Sequence, residues 1–126
     1  MPLTHVSMRK GKSERYKEAM LESIYLAMRE TFNVPENDRF MVIQECEQDN
    51  FVYGKNYLDI ARSNDLLLIQ LTVSNTRSVE QKKALYARIV ELLVQNIQIR
   101  PEDVFINLVE VAKENWSFGL GVAQYA

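Results

Sequence analysis

The sequence predicts an α/β fold of the α+β kind: duplicated βαβ units forming a four-stranded sheet with two helices on one face. Three observations carry this. Laid over itself at an offset of 65, the chain pairs Ser13 with Ser78, Lys17 with Lys82, Ala19 with Ala84, Met20 with Leu85 and Ile24 with Ile89. After a one-residue gap, Val34-Pro35-Glu36-Asn37-Asp38 meets Arg100-Pro101-Glu102-Asp103, and Glu45 meets Glu110. Each half reads as strand, helix, strand, and 126 residues suffice for one domain with a two-layer core.

In the first half, Leu3 to Met8 forms a short strand that Gly11-Lys12-Ser13 breaks, with Ser13 as helix N-cap. Tyr16, Met20, Ile24, Ala27, Met28 and Phe32 follow at three- and four-residue steps, an apolar helical stripe roughly 30 Å long. The helix stops between Asn33 and Asp38, because a residue before proline avoids helical angles, and Phe40 to Glu45 resumes as a strand. The second half repeats the order. Leu66 to Val73 is an apolar strand, Ser78-Val79-Glu80-Gln81 is a capping box, and Leu85, Ile89, Leu92, Leu93 and Ile97 line the helix. Beyond Pro101, Val104 to Val111 is the last long strand.

The strands within each unit are expected to be parallel, with a right-handed crossover. One domain spans 1–126: a first βαβ unit over 2–48, a polar insertion over 49–65, a second unit over 66–113 and a tail over 114–126, insertion and tail lying outside the repeat. The sheet face without helices is expected to be apolar and bare in a monomer, which implies symmetric self-association.

Composition narrows the function. The fractions of 47% hydrophobic and 25% charged residues are those of an ordinary soluble protein, and a net charge of -2 supplies no cationic field for nucleic acid. No apolar run reaches membrane-spanning length and the opening Met-Pro-Leu-Thr-His is not a signal peptide, so a cytoplasmic protein with no membrane partner is expected. One cysteine, Cys46, and one histidine, His5, make neither a disulfide nor a zinc site; no metal and no cofactor are expected. Cys46 reads as inert, His5 as a packed or surface residue, Glu45 to Asp49 as a solvated loop, and Gly119 and Gly121 as flexible corners.

Pro2 is the sharpest chemical signal. Removal of Met1, favoured before a small residue, exposes a secondary amine able to act as base, acid or nucleophile. Its counterpart at offset 65 is Leu67, inside a strand, so the amine is expected in a pocket. The alternative is that Met-Pro is an uninformative start.

Beside the repeat, Pro2 makes the chain resemble the tautomerase superfamily, duplicated βαβ domains with a catalytic amino-terminal proline, and within it the malonate semialdehyde decarboxylase-like subgroup. The resemblance rests on Pro2-Leu3, Val34 to Arg39, Ile60-Ala61-Arg62-Ser63, Arg77-Ser78 with Glu80-Gln81-Lys82, Pro101-Glu102-Asp103 and Asn115-Trp116-Ser117-Phe118-Gly119. It implies a trimer and a site of catalytic Pro2, Asp38 and Arg77, with Asn75, Trp116 and Phe118 binding substrate.

In that site Arg77 is a forked donor for a small carboxylate, Asp38 favours a protonated proline, and Trp116 with Phe118 excludes water. The competing readings are a solvated arginine beside a helix start, an ordinary turn aspartate, and aromatics that cap an oligomer core. Asn75 departs from the subgroup's arginine pair and weakens the case for decarboxylation. The expected function is proline-dependent chemistry on small 2-oxo, enol or 3-oxo carboxylic acids, by keto-enol tautomerisation, malonate semialdehyde-type decarboxylation or both. A non-catalytic oligomeric module that binds small anions is the alternative.

Overall fold

The computed structural model describes residues 2–126; Met1, whose removal the enzymatic reading requires, lies outside the described residues. The elements are β1 (Leu3–Arg9), α1 (Glu14–Phe32), β2 (Phe40–Cys46), β3 (Leu67–Ser74), α2 (Val79–Ile97) and β4 (Val104–Val111). Single 3-10 turns sit at Gln48–Asn50, Tyr57–Asp59, Pro101–Asp103 and Lys113–Asn115.

The sheet order is β2-β1-β3-β4, with β1 and β2 parallel, β3 and β4 parallel, and the central β1–β3 pair antiparallel. In that central ladder Leu3 faces Thr72, His5 faces Gln70 and Ser7 faces Leu68. Only His5 and Gln70 are both opposite each other and 65 positions apart, so the pseudo-two-fold axis of the duplication passes between them.

The duplication extends to caps, core and ion pairs. Ser13 Oγ accepts the Tyr16 N–H at 3.1 Å, and Ser78 forms a full capping box with Gln81. Both helices end in the left-handed region, at Asn33 (φ 54) and Gln98 (φ 53), where a polar residue closes the last turn. Met20, Ile24, Ala27, Met28 and Phe32 of α1 are buried, and so are their counterparts Leu85, Ile89, Leu92, Leu93 and Ile97 of α2. They pack on Val6, Met8, Leu67, Ile69 and Leu71 of the sheet. Lys17 binds Glu45 at 3.0 Å and Lys82 binds Glu110 at 2.7 Å, each clamping a helix to the outer strand of its own unit. No helix among the described residues is long and apolar enough to cross a membrane.

Two expectations need correction. Residues 49–65 and 114–126 are not wholly outside the repeat, because their first stretches, 49–54 and 114–119, continue it. The 3-10 turns Gln48–Asn50 and Lys113–Asn115 coincide at the same offset, followed by the ring pairs Phe51–Tyr53 (6.1 Å) and Trp116–Phe118 (5.5 Å). Each segment crosses to the other unit: Val52 and Tyr53 border Leu68 and Phe105, while Trp116 to Phe118 border Leu3 and Phe40. Rings that close over the starts of neighbouring strands bury apolar area that the helices do not reach.

The uncovered sheet face is also only partly apolar. Phe40, Val42, Phe105 and Val109 are exposed on it, but a polar row of His5, Gln70 and Asn107 crosses its middle, with Gln70 Nε2 donating to Asn107 Oδ1 at 3.2 Å. These side chains fall on alternate strand positions, so the pleat alone assigns them to the face away from the helices.

Candidate active site

Strand register brings four segments to one end of the sheet. Leu3 pairs with Phe40 on one side and Thr72 on the other, so Pro2 lies between the turn that precedes β2 and the end of β3. Asp38 belongs to that turn, its N–H donating to the Pro35 carbonyl at 3.1 Å, and Asn75 to Arg77 continue from β3. The fourth segment, Trp116 to Phe118, is tied down by the indole Nε1–H, which donates to Ser74 Oγ at 3.1 Å.

Pro2 is buried, and with Leu3, Phe40, Trp116, Ser117 and Phe118 it lines a pocket of about 200 Å³. The aromatic wall is built in layers. Trp116 stacks on Phe118 at 21°, and Tyr125 meets Phe118 edge-on at 4.9 Å. Gln124 closes the loop behind them, accepting the Phe118 N–H and donating to the Gly119 carbonyl, both at 3.0 Å.

Asp38 and Arg77 form a second cluster at this end. One carboxylate oxygen of Asp38 is buried with no hydrogen-bond partner among the described residues. Burial pushes its pKa above the usual carboxylate range, against the pull of nearby positive charge that includes Arg77. Burial likewise lowers the Arg77 pKa, and Asp38 opposes that shift, so the two groups feel each other.

Arg77 immediately precedes the α2 N-cap, which alone is a poor place for a cation. The fold compensates. Its Nη2 donates at 3.0 Å to the carbonyl of Phe32, the last residue of α1, where the helix dipole is negative. The guanidinium also lies 4.8 Å from the Phe32 ring centroid, and Nη1 reaches Thr76 Oγ1 at 3.3 Å.

Of the residues singled out in the sequence, Pro2, Trp116 and Phe118 therefore share one pocket, while Asp38 and Arg77 belong to the segments that precede β2 and follow β3 at the same end of the sheet. Asn75 is exposed, and its backbone N–H donates to Val111 at 3.0 Å; neither it nor Asp38 nor Arg77 lines the pocket itself. Ser74, Gln124 and Tyr125, which hold the wall, were not anticipated. The repeat carried a signal for the wall: Asp49-Asn50-Phe51-Val52-Tyr53-Gly54 matches Glu114-Asn115-Trp116-Ser117-Phe118-Gly119 at the same offset.

Known proteins share this architecture. A family model described as tautomerase enzyme matches residues 2–59, and a second model of the same description matches residues 38–119. Probable tautomerase YusQ of Bacillus subtilis (strain 168) is 40% identical over 124 residues, which cover 98% of each chain. Probable tautomerase YrdN of the same organism is 28% identical over 99% of this chain and 96% of its own. A crystal structure of malonate semialdehyde decarboxylase superposes with a TM-score of 0.91 at 29% identity, over 98% of this chain and 95% of that one. A fused 4-OT described as a symmetric trimer, with a TM-score of 0.79 at 18% identity over 98% and 97% of the two chains, bears on the fold alone.

Proposed function

The chain belongs to the tautomerase family, and we propose that it is a proline-dependent enzyme that interconverts keto and enol forms of small 2-oxo carboxylic acids. The observation that carries this reading is the burial of Pro2 in a pocket closed by Trp116 and Phe118. With Met1 removed, the ring nitrogen is a secondary amine. A free amine can both take and return a proton, and the carboxylate of Asp38, in the turn before β2, is the group proposed to assist it.

In the reaction, the neutral nitrogen accepts the hydroxyl proton of the enol and delivers a proton to C3, leaving the 2-oxo acid with no net gain or loss of atoms. Arg77 provides the cation for the substrate carboxylate, exchanging its 3.3 Å contact to Thr76 for a stronger charge-assisted bond. Asn75 adds an amide donor, and the aromatic wall keeps water from competing for the anion. Val42 and Val109, on the part of the sheet face that lines neither this pocket nor the one beside Tyr53, belong to the surface for self-association, and a trimer is the assembly proposed.

Similarity to malonate semialdehyde decarboxylase supports a second activity, loss of carbon dioxide from a 3-oxo acid. The neutral Asn75 makes it the minor one, because a single guanidinium fixes the plane of the departing carboxylate less firmly than two do. The test is an assay of untagged protein, shown by mass to start at Pro2, against phenylpyruvate enol, a 2-hydroxymuconate-like dienol and malonate semialdehyde. Faster turnover of the enols than of the semialdehyde is expected. Carboxylate binding without turnover of any of the three would leave a non-catalytic anion-binding oligomer.

A further inference from the structure

The duplication builds a second pocket where the first unit's ring pair crosses to the second unit. It has a volume of about 350 Å³, and its walls include Leu68, Phe105, Val52 and Tyr53, the counterparts of Leu3, Phe40, Ser117 and Phe118. The chemistry of the first pocket is absent from it. Leu67 stands where Pro2 stands, and Asp103, the counterpart of Asp38, is occupied by the Ser63 N–H at 2.7 Å and the Ser63 hydroxyl at 2.6 Å. Lys12, the counterpart of Arg77, is bound to Asp65 at 2.8 Å.

One cation in this pocket has no acidic partner among the described residues. Arg62 lines it, and its Nη1 donates to the carbonyls of Gly54 (3.1 Å), Tyr57 (2.9 Å) and Ile60 (3.3 Å). Three backbone carbonyls on one nitrogen fix the plane of the guanidinium, while Nε and Nη2 make no protein hydrogen bond among the described residues. Tyr53 is held in place as well, its hydroxyl donating to Asn64 Oδ1 at 2.8 Å. A pre-oriented guanidinium among aromatic and aliphatic lining residues suits a ligand with a carboxylate head and an apolar body.

We propose that this pocket is a second, non-catalytic binding site for small carboxylates with an apolar or aromatic body, held by Arg62 and seated between Leu68, Phe105 and Tyr53. Without an amine at the Pro2 position it binds its ligand and leaves it unchanged.

The test is titration of the isotope-labelled full chain with phenylacetate, followed by amide NMR shifts. Saturable shifts at Tyr53, Arg62 and Leu68 are expected in the wild type and, undiminished, in Arg77→Ala, because binding here does not use the first pocket. Val52 is 88% exposed, so Val52→Glu places a repelling carboxylate at the mouth without disturbing the core. It should weaken this site about tenfold or more while leaving shifts at Trp116 intact. Arg62→Lys, which keeps the charge and loses the fork, should weaken it as well. Shifts confined to the Pro2–Trp116 pocket, or an affinity at Arg62 unchanged by Val52→Glu, would overturn the site. Binding of neutral 2-phenylethanol as tight as that of phenylacetate would overturn the carboxylate assignment. These readouts report binding alone, so they stand or fall separately from turnover at Pro2.

Discussion

Asp38 and Asp103 occupy the same place in the two halves of one duplication and do opposite things. Asp103 is fully buried and satisfied, its two oxygens taken by the backbone and hydroxyl of Ser63, with Arg100 3.7 Å away. Asp38 has a buried oxygen with no partner among the described residues. The fold built the same acidic turn twice. In one copy the carboxylate ties the 49–65 segment to the start of β4, and in the other it stays available beside Pro2. A duplicated scaffold can thus spend one aspartate on stability, and the unsatisfied buried acceptor marks the other as the one proposed for chemistry.

The comparison predicts its largest effect on folding. Asp103→Ala strands the Ser63 donors and should cost about 2 to 4 kcal/mol in chemical denaturation, whereas Asp38→Ala should cost almost nothing. Equal losses in the two variants would erase the distinction between the halves.

Next in size is the cation pair Arg77 and Lys12. Arg77→Ala should raise KM for a carboxylate substrate about tenfold or more, with a smaller change in kcat, because a binding interaction is removed from ground and transition states alike. Lys12→Ala should leave both parameters where they were. An unchanged kcat/KM for every active carboxylate in Arg77→Ala would leave its contacts to Phe32 as its whole role.

Asn75→Arg sharpens the same contrast by adding a second guanidinium beside the first. The ratio of decarboxylation to tautomerisation should rise. A ratio that moves in neither direction would place Asn75 outside the site, consistent with its exposure.

The smallest effect is a pH dependence of stability. Burial raises the folded-state pKa of Asp38, so the fold favours its protonated form. Its contribution to stability is fully present below the ordinary aspartate range and is lost as pH rises through the raised value. Asp38→Asn should therefore melt slightly higher than the wild type at neutral pH, with the gap closing in acid. A gap of the same size at both ends of the pH range would contradict the assigned cause.

Much of this was legible in the sequence because the apolar periodicities of both helices and the serine caps repeat at one offset. Pro2, Trp116 and Phe118 were legible as a set through family resemblance, and the structure places them in one pocket. The repeated ring pairs went unread because 3-10 turns and irregular loops have no period, so Phe51 and Trp116 stood out only against each other. The polar row on the uncovered sheet face was hidden by the high apolar content of the strands, although His5, Gln70 and Asn107 alternate with the core residues. Nothing local to Arg77 announces its bond to Phe32, 45 positions away, because such contacts arise only when the two helices dock. Likewise, Ser63 gave no sign that it would occupy Asp103.

The central claim is that the nitrogen of Pro2 is the catalytic group, and it is tested by retaining a single residue ahead of Pro2 in a protein verified by mass. Acylation turns the amine into an amide whose lone pair is delocalised into the carbonyl, so it neither takes a proton near neutral pH nor attacks a carbonyl. Pro2→Ala, which keeps a free amine once Met1 is removed, serves as the companion and should retain residual turnover. The account predicts no measurable catalysis in the extended protein at unchanged melting temperature. Turnover of the extended form as fast as that of the trimmed form would contradict it.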